Sequence, residues 1–348
     1  MAERECEVLV VGAGVVGLAT AWALERAGRE VLVVEQFRVG HDRGSSHGSS
    51  RIFRLAYDDA FWVALAQESL PLWRQLEEES GSELLSLTGS LDTGRDLGPL
   101  SQALADRGAP FEVLDPAEAR RRFGLGLREP AVYQPDGGVA WAGRTLTALA
   151  SGLRIEEGTR ALRLDAERDR VEAETSASRI HARAIVVCAG AWAAPLLASA
   201  GIDLPVRVTR ETAAYFQRPT AGPVPSLIDW AGTIEYPRVQ VYALEAGDGR
   251  LKAALHHAGR EADPDDPGTP DEAAAESVAR WAAETYGLAS AEQLAAETCL
   301  YTTTADESFV LERHGPVVVG SACSGHAFKF APALGERLAA LTMDVLTS

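Results

Sequence analysis

The sequence predicts an α/β plus α+β fold in two domains, and three observations support that prediction. The first forty residues read as strand Cys6–Val11, glycine-rich turn, helix Gly14–Ala27 and strand Val31–Val34. From Val206 onward, most segments have the composition of β-strands. The chain has 348 residues, which is more than one compact core usually holds. We therefore expect one domain assembled from separated segments and a second domain inserted within it.

Caps and prolines predict the helices that follow the first one. Asp59–Glu79 is predicted to be a long helix with a bend at Pro71, because proline cannot donate the hydrogen bond that a helix interior needs. Asp115 and Pro116 have the form of a helix start, with an acceptor at the cap and proline at the first position. Three more helices are predicted, from Ala191, over Asp271–Tyr286 and from Ala327 onward.

Apolar and β-branched runs predict the strands. The segments before residue 200 are Leu153–Leu164, Val171–Glu174 and Ile180–Cys188. The later ones are Thr209–Gln217, Thr233–Leu244, Arg250–His257, Cys299–Thr304 and Val317–Ser321. Ala246-Gly247-Asp248-Gly249 predicts a hairpin turn, and Ala262–Pro270, rich in Asp, Pro and Gly, is predicted to be a loop.

Charge and cysteine content exclude several classes of protein. The formal net charge of −17 disfavours binding to nucleic acid or to an anionic membrane surface. The four cysteines are scattered, so neither a metal site nor a disulfide framework is expected and a reducing compartment is favoured. The apolar stretch Val8–Leu24 is interrupted by glycines, which disfavours a signal peptide or a membrane span. We therefore expect a cytoplasmic protein.

A glycine-rich turn after the first strand predicts a dinucleotide site. Gly12-Ala13-Gly14-Val15-Val16-Gly17 is a GxGxxG motif. Its first glycine permits the tight bend, the second lets a pyrophosphate approach the backbone, and the third allows close packing of helix on strand. Glu35, eighteen residues after Gly17, can accept hydrogen bonds from both ribose hydroxyls of an adenosine. A carboxylate there repels a 2′-phosphate, so FAD or NAD is favoured over NADP.

Residues 44–54 form a second unusual segment. They read Gly44-Ser45-Ser46-His47-Gly48-Ser49-Ser50-Arg51-Ile52-Phe53-Arg54, with too many small polar side chains for a packed element. The segment can present hydroxyl and amide groups to a phosphate or an isoalloxazine ring, with Arg51 and Arg54 on one face. By composition alone, a solvated surface loop fits equally well.

Six segments, taken in order, resemble one family of flavoenzymes. They are the GxGxxG turn, residues 44–54, Val186-Val187-Cys188-Ala189-Gly190-Ala191-Trp192, Leu251-Lys252-Ala253-Ala254-Leu255-His256, Cys299-Leu300-Tyr301-Thr302 and Ser324-Gly325-His326-Ala327-Phe328-Lys329-Phe330. In this order they resemble the monomeric sarcosine oxidase and N-methyltryptophan oxidase family, within the D-amino-acid-oxidase superfamily. The resemblance implies a Rossmann-type FAD-binding domain with an inserted antiparallel-sheet substrate domain. The FAD-binding domain is expected over 1–83, 144–207 and 315–348, and the substrate domain over 84–143 and 208–314.

The resemblance also assigns roles to matching residues. Arg54 and Lys329 match the pair that holds the substrate carboxylate. The planar guanidinium of arginine and the compact ammonium of lysine both bind a carboxylate well. Arg51 matches an arginine against the flavin, and His47 matches a histidine near its ring. The expected cofactor-binding residues are Gly12, Gly14, Gly17, Glu35, Ser45, Ser46, Cys299, Gly325, His326 and Phe328.

The remaining matches concern oxygen and the covalent link. Lys252 matches the lysine at the flavin face where oxygen is activated, and Tyr242 and His256 match further catalytic groups. Cys299 matches the cysteine that bonds to the 8-methyl carbon of the flavin ring. A buried core thiol is the alternative for Cys299.

Lysine usage supports these assignments independently. Only Lys252 and Lys329 are lysines, and the other thirty-one basic residues are arginines. The two exceptions fall on positions where the family uses lysine chemically. A compact ammonium approaches an oxygen species or a carboxylate end-on and shifts its pKa readily, whereas a guanidinium does not.

The sequence therefore predicts an FAD-dependent oxidase of a small secondary or cyclic (N-methyl-type) amino acid, which yields an imine and hydrogen peroxide. The expected partners are a small amino-acid or imino-acid substrate and molecular oxygen, with no nucleic acid and no membrane, and the protein is expected to be a monomer. Three alternatives stay open: a flavin-dependent amino-acid dehydrogenase, a D-amino-acid oxidase, and a biosynthetic imine or ring oxidase with a carrier-bound substrate. A non-catalytic nucleotide-binding module is disfavoured, because it leaves Arg54, Lys252, Lys329 and Cys299 without a role.

Overall fold

The structure is a computed structural model that describes residues 2–166, 170–218, 222–247, 249–321 and 323–348. Its helices are α1 (Val15–Arg26), α2 (Ala60–Ser80), α3 (Gly98–Asp106), α4 (Pro116–Phe123), α5 (Ala142–Ala150), α6 (Ala193–Ala198), α7 (Glu272–Tyr286) and α8 (Ala331–Leu346), with 3-10 turns at Gly190–Trp192 and Ala327–Phe330. Within these ranges, every helix is too short or too polar to span a membrane.

The strands assemble into three sheets. They are β1 (Ala2–Val11), β2 (Val31–Val34), β3 (Ser50–Phe53), β4 (Leu85–Ser86), β5 (Ser90–Thr93), β6 (Glu112–Leu114), β7 (Ala131–Gln134), β8 (Gly138–Trp141), β9 (Arg154–Glu156), β10 (Ala161–Ala166), β11 (Val171–Thr175), β12 (Ser178–Val187), β13 (Arg207–Gln217), β14 (Ser226–Asp229), β15 (Val241–Gly247), β16 (Arg250–Leu255), β17 (Arg260–Glu261), β18 (Ala295–Thr303), β19 (Val310–His314) and β20 (Val317–Ser321).

The first sheet has the parallel strands β9, β2, β1, β12 and β20 at its centre, and β10, β11 and β19 extend it in antiparallel pairs. Val8 and Val10 pack against α1 and α8, whereas Leu9 and Val11 face α6. Because helices cover both faces, the central strands are apolar along their whole buried length. A side chain at Gly335 of α8 would meet the Ala19 carbonyl at 2.5 Å, so glycine permits the close approach of α8 to α1.

The second sheet runs β17-β13-β16-β15-β14-β5-β7-β6, and β18 pairs with the other side of β13. All its pairs are antiparallel except the pair of β14 with β5. Apolar side chains of α7 and of the sheet form a buried core on one face. The small third sheet, β3-β8-β4, holds the end of the 44–54 segment, since Arg51 pairs with Ala140 there.

Most predicted elements are confirmed, and several are corrected. The predicted strand Thr233–Leu244 is wrong over its first half, because β15 begins only at Val241 and β14 lies earlier in the chain. Gly232 and Arg238 have φ angles of 78° and 63°, so the backbone turns where a strand was expected. Gly158, with φ of 70°, likewise divides the predicted strand Leu153–Leu164 into β9 and β10.

Smaller differences lie toward the end of the chain. The strand β19 was not predicted, and the helix expected from Ala327 begins as a 3-10 turn that α8 continues. The hairpin of β15 and β16 is confirmed, although Asp248 in its turn lies outside the described residues. Pro71 lies within α2, as predicted.

The segments that build each sheet agree with the predicted α/β plus α+β class. The first sheet draws on residues 2–34, 154–187 and 310–321, and the second draws on residues 90–134 and 207–303. The exact domain boundaries stay a prediction, and β19 of the first sheet lies just before the expected boundary at residue 315.

Candidate active site

A cavity of about 440 Å³ opens at the carboxyl ends of β1 and β2 and extends to β3, β15, β16 and β18. Such strand ends are where open α/β sheets bind their ligands. The cavity is lined by fifteen of the predicted site residues: Gly12, Gly14, Glu35, Ser45, Ser46, Arg51, Arg54, Tyr242, Lys252, His256, Cys299, Gly325, His326, Phe328 and Lys329. Gly17 and His47 are buried and are not among its lining residues.

The glycine turn has the geometry that its sequence predicts. Gly12 has φ of 103°, and a side chain there would meet the Cys188 carbonyl oxygen at 2.5 Å. A side chain at Gly17 would collide with the Gly12 carbonyl oxygen, so Gly17 serves helix–strand packing and does not line the cavity. Because neither position carries a side chain, a ligand can approach the backbone at the start of α1 closely.

Serine and glutamate side chains complete this end of the cavity. Ser46 Oγ accepts a hydrogen bond from the Val15 amide at 3.0 Å, at the first turn of α1. Ser45 donates to the Leu300 carbonyl and thereby ties the polar segment to β18. Glu35 is buried and accepts from the amides of Ala13 at 2.8 Å and Phe37 at 2.9 Å. Its carboxylate is therefore fixed beside the turn, where an adenosine ribose would lie.

Arg51 holds the polar segment in shape. Its guanidinium donates to the carbonyls of Ser45 and His47, both at 2.6 Å, and of Ser50 at 2.8 Å. These bonds make residues 45–50 a structured loop, so the solvated-loop alternative is wrong for this segment. His47 is buried in the loop, and burial together with the charge of Arg51 lowers its pKa to about 4. The His47 imidazole is therefore neutral at pH 7.

Lys252 faces the cavity from β16 and is 3% exposed. Its Nζ donates to Glu297 Oε1 on β18 at 2.6 Å. Burial and the neighbouring Arg51 lower the pKa of Lys252, and Glu297 opposes that shift. For Glu297, burial alone would raise the pKa, but Lys252 and the Tyr215 hydroxyl together outweigh burial and lower it to about 2.

Cys299 lies two residues after Glu297 on β18, with its thiol at the cavity wall. Burial raises the pKa of this thiol to about 11, although Arg51 and Lys252 both favour the thiolate. The thiol has no disulfide partner. Its position on the wall, beside two cations, is what a covalent link to a ligand in the cavity requires.

Arg54 and Lys329 are both buried and both lie against the ring of Tyr57. The Arg54 guanidinium carbon is 4.2 Å and Lys329 Nζ is 5.6 Å from the ring centre. Arg54 donates to Asp92 Oδ1 at 3.0 Å, and Lys329 Nζ donates to the His326 carbonyl at 2.8 Å. Burial, followed by the charge of Arg54, lowers the pKa of Lys329 well below its usual value.

Aromatic and histidine side chains surround the same part of the cavity. His256 Nδ1 and the Tyr301 hydroxyl are 3.1 Å apart, and the rings of Tyr242 and His256 are 6.4 Å apart, centre to centre. A side chain at Gly325 would collide with the Tyr301 ring and lie 2.6 Å from His256 Cε1. Burial lowers the pKa of His326 to about 3, so this side chain is neutral at pH 7.

Two carboxylates at the site were missed in the sequence. Glu297 lies just before the predicted strand Cys299–Thr304, and only the observed start of β18 at Ala295 places it on the same face as Cys299. Asp92 has a weak signal, namely an acid within the apolar and small-residue segment Ser90–Thr93. Both carboxylates accept a hydrogen bond from a predicted site cation.

Fold and site together define a dinucleotide-binding oxidoreductase with a cationic pocket beside the cofactor site. The chain matches the family described as DAO, FAD dependent oxidoreductase, over residues 7–341, and it belongs to that family. Monomeric sarcosine oxidase of Streptomyces avermitilis is 33% identical to it in an alignment 378 positions long, gaps included, which covers 98% of this chain and 94% of that protein. Peroxisomal sarcosine oxidase of Homo sapiens is 30% identical in an alignment of 369 positions, which covers 98% of this chain and 93% of that protein.

A solved structure is similar along nearly the whole chain. NikD, described as an unusual amino acid oxidase essential for nikkomycin biosynthesis, matches with a TM-score of 0.88 and 26% identity, over 98% of this chain and 94% of that one. These comparisons confirm the family resemblance, the fold class and FAD as the cofactor. They support FAD-dependent amino-acid oxidation, so the expectation of an FAD-dependent oxidoreductase is confirmed.

The residues present fit FAD. Gly12 and Gly14 have no side chains, which leaves room for a pyrophosphate at the start of α1. The Glu35 carboxylate lies beside the turn, within reach of the ribose that would follow. The cavity continues from that turn past Arg51 to Lys252 and Cys299, which gives space for an isoalloxazine ring.

Proposed function

We propose that the protein oxidises a carbon–nitrogen bond in a small secondary or cyclic amino acid, of the N-methyl type, with molecular oxygen as the electron acceptor. The observation that carries this proposal is the pair of buried cations, Arg54 and Lys329, against Tyr57 in a cavity that also reaches the glycine turn. A carboxylate is the substrate group that two such cations select.

Arg54 and Lys329 bind and orient the substrate carboxylate. One arm of the Arg54 fork already donates to Asp92, which fixes the plane of the guanidinium before substrate arrives. Fixing the carboxylate places the amine and the neighbouring carbon deeper in the cavity, along the wall that Tyr242 and His256 form. The neutral imidazole of His256, whose pKa burial lowers well below its usual value, adds no competing positive charge there.

FAD, held by the glycine turn and Glu35, would accept a hydride equivalent from the substrate carbon and would supply the two electrons to oxygen. The substrate nitrogen loses a proton in the same conversion, so the amine becomes an imine and oxygen becomes hydrogen peroxide. Water then hydrolyses the imine. Lys252 supplies a positive charge at the cavity wall that stabilises the negative charge developing on oxygen.

We further propose a covalent link between Cys299 and the flavin, because the thiol lies at the cavity wall and favourable charges flank it. The expected monomeric state and cytoplasmic location stay predictions from the sequence. The active-site roles given to Arg51, His47, Tyr242 and His256 are proposals that rest on their positions at the cavity wall or, for His47, in the loop that Arg51 holds.

A substrate panel tests the proposed function. Purified holoenzyme is supplied with N-methyl, cyclic and primary D-amino acids, and hydrogen peroxide and flavin bleaching are both measured. Peroxide from N-methyl or cyclic acids supports the proposal. Bleaching without peroxide favours the dehydrogenase alternative, and peroxide from primary D-amino acids alone favours a D-amino-acid oxidase. Neither signal from any free amino acid contradicts a free substrate and favours a carrier-bound one.

A further inference from the structure

Glu297 reaches Lys252 across an intervening strand. In the second sheet β13 lies between β16 and β18, with Tyr215 opposite Lys252 on one side and Ala213 opposite Glu297 on the other. Because side chains of registered partners share a face, Tyr215, Lys252 and Glu297 all project from the cavity face of the sheet. The Lys252–Glu297 ion pair, with Nζ and Oε1 2.6 Å apart, therefore spans the width of β13.

The Glu297 carboxylate is held from three directions. Oε1 accepts from Lys252 Nζ and from the Tyr215 hydroxyl, each at 2.6 Å. On a third side the backbone of the polar loop is so close that a side chain at Gly48 would lie 2.7 Å from the same oxygen. A carboxylate with so little freedom fixes the position of the ammonium that it binds.

The charges around Lys252 require a counter-ion. Arg51 on β3 brings a second positive charge to Lys252, and the His47 imidazole also faces this cluster. The Cys299 thiol on β18 and the Tyr215 hydroxyl on β13 are neutral at pH 7, because burial raises the pKa of each. Among the groups described around Lys252, Glu297 is thus the carboxylate that directly neutralises it.

We propose that Glu297 is a positioning residue that holds the Lys252 ammonium, in its charged form, at the cavity wall where oxygen is reduced. This inference rests on the proposed function, since it gives Glu297 a part in the oxygen step and none in carboxylate binding. The side chain of Lys252 is 4% exposed and that of Glu297 is 25% exposed, so the pair lies where water screens its attraction only in part. Loss of the negative charge leaves Lys252 beside Arg51 without the counter-charge that favours its protonated form.

Spectral titration of the holoenzyme, without substrate, tests the proposal. The flavin absorbance responds to a charge that titrates beside the ring, so the wild type is compared with Glu297→Gln from about pH 6 to about pH 11. The amide oxygen of the introduced glutamine can still accept both hydrogen bonds, so the substitution removes only the charge. We expect the spectral transition to move down by about 1–3 pH units in Glu297→Gln, and to disappear when Lys252→Met is added.

Two further variants keep the titration decisive. Glu297→Asp keeps the charge on a shorter side chain, so it should shift the transition in the same direction by less. It replaces Glu297→Gln in the titration if that variant does not fold. Glu245→Gln is the matched control, because Glu245 pairs with Arg218 at 3.8 Å and, lying opposite Leu251 on β16, projects from the other face of the sheet than Lys252. It should leave the transition in place. A transition that stays at the wild-type pH in both Glu297 variants, or that survives Lys252→Met, overturns the proposal.

Turnover gives a second readout that a merely structural role would not produce. Above the shifted transition, Glu297→Gln should react with oxygen about tenfold more slowly than wild type, while anaerobic bleaching by substrate keeps its rate. Equal losses of rate in flavin reduction by substrate and in flavin reoxidation by oxygen contradict a positioning role. If no amino acid bleaches the wild type, the proposed function fails, yet the substrate-free titration still decides whether Glu297 sets the charge of Lys252.

Discussion

Arg54 and Asp92 form a buried ion pair with Nη1 and Oδ1 3.0 Å apart. Arg54 is 6% exposed and Asp92 is not exposed at all, and the Trp230 indole donates to the same carboxylate oxygen at 3.1 Å. Burial raises the pKa of Asp92, and Arg54 opposes that rise. Arg54 is therefore held by a partner from β5, and the pocket around Tyr57 contains two basic side chains and one acidic one.

Arg54→Ala should raise KM strongly for a carboxylate substrate. Truncation of one partner in a buried, charge-assisted contact costs about 2–5 kcal/mol. Each 1.4 kcal/mol is a factor of ten, so KM should rise by about thirtyfold or more. An amide analogue of the same substrate is the control, since it lacks the charge that Arg54 binds. Similar losses with acid and amide mean that Arg54 does not bind the carboxylate.

Asp92→Asn should lower thermal stability, and it should increase the rise in Tm that a bound carboxylate inhibitor produces. Asparagine keeps an oxygen for Arg54 and Trp230, so the change leaves a buried guanidinium without its counter-charge. This costs up to about 3–5 kcal/mol, and an anionic inhibitor that restores a counter-charge should raise Tm more in the variant than in the wild type. Asp58→Asn is the control and should change little, because the Asp58 carboxylate is half exposed where it pairs with Arg95. An equal rise in Tm for both proteins contradicts this role for Asp92.

The sequence could predict the cofactor end of the site, because its chemistry is local. Gly12, Gly17 and Glu35 lie within one strand–helix–strand unit, where Gly17 packs against the Gly12 carbonyl and Glu35 accepts from the Ala13 amide. The spacing of such a motif reports its geometry directly. The conformation of residues 44–54 is harder to predict from the sequence, because the three carbonyls that Arg51 binds become neighbours only in the folded loop.

The substrate end depends on pairings that spacing does not reveal. Lys252 and Glu297 meet because β13 lies between their strands, and Asp92 meets Arg54 because β5 pairs with β14 in the second sheet. Their sequence separations of 45 and 38 residues carry no periodic signal. The incorrect strand over Thr233–Leu244 has the same origin, since a positive φ at Arg238 is imposed by the fold and not by that residue type.

Cys299→Ser should release the flavin from denatured protein. A thioether survives unfolding, so acid-precipitated wild-type protein should stay yellow, with an intact mass that exceeds the sequence mass by one FAD. In Cys299→Ser, the flavin should move to the supernatant. Cys323→Ser is a matched control, because Cys323 also lines the cavity, and it should keep the flavin bound. Release of all flavin from wild-type protein shows that Cys299 forms no such bond.

Glu297→Gln should lose stability only where Glu297 is ionised. Burial would raise the pKa of Glu297, but Lys252 and the Tyr215 hydroxyl lower it from 4.5 to about 2 in the folded protein. Because the folded pKa lies below the unfolded one, the ionised carboxylate stabilises the fold above pH 4.5, and this contribution is lost as pH falls toward about 2. The free energy of unfolding in urea should thus differ by on the order of 2 kcal/mol at neutral pH. A difference that stays constant from neutral to strongly acidic pH contradicts the assignment.

Lys252→Met should slow flavin reoxidation by oxygen far more than it slows flavin reduction by substrate. Methionine keeps the length and the apolar stem of lysine, so packing changes little, but the positive charge beside the developing negative charge on oxygen is lost. Anaerobic bleaching by substrate should slow modestly, reaction with oxygen should slow by about a hundredfold or more, and an artificial electron acceptor should restore turnover. Lys329→Met is the matched control, the same substitution at the other lysine, and it should raise KM for the amino acid while oxygen reacts at the wild-type rate. Stopped-flow absorbance measures both steps in each variant. If Lys252→Met reacts with oxygen as fast as the wild type, Lys252 is not the oxygen site, and the dehydrogenase alternative gains support.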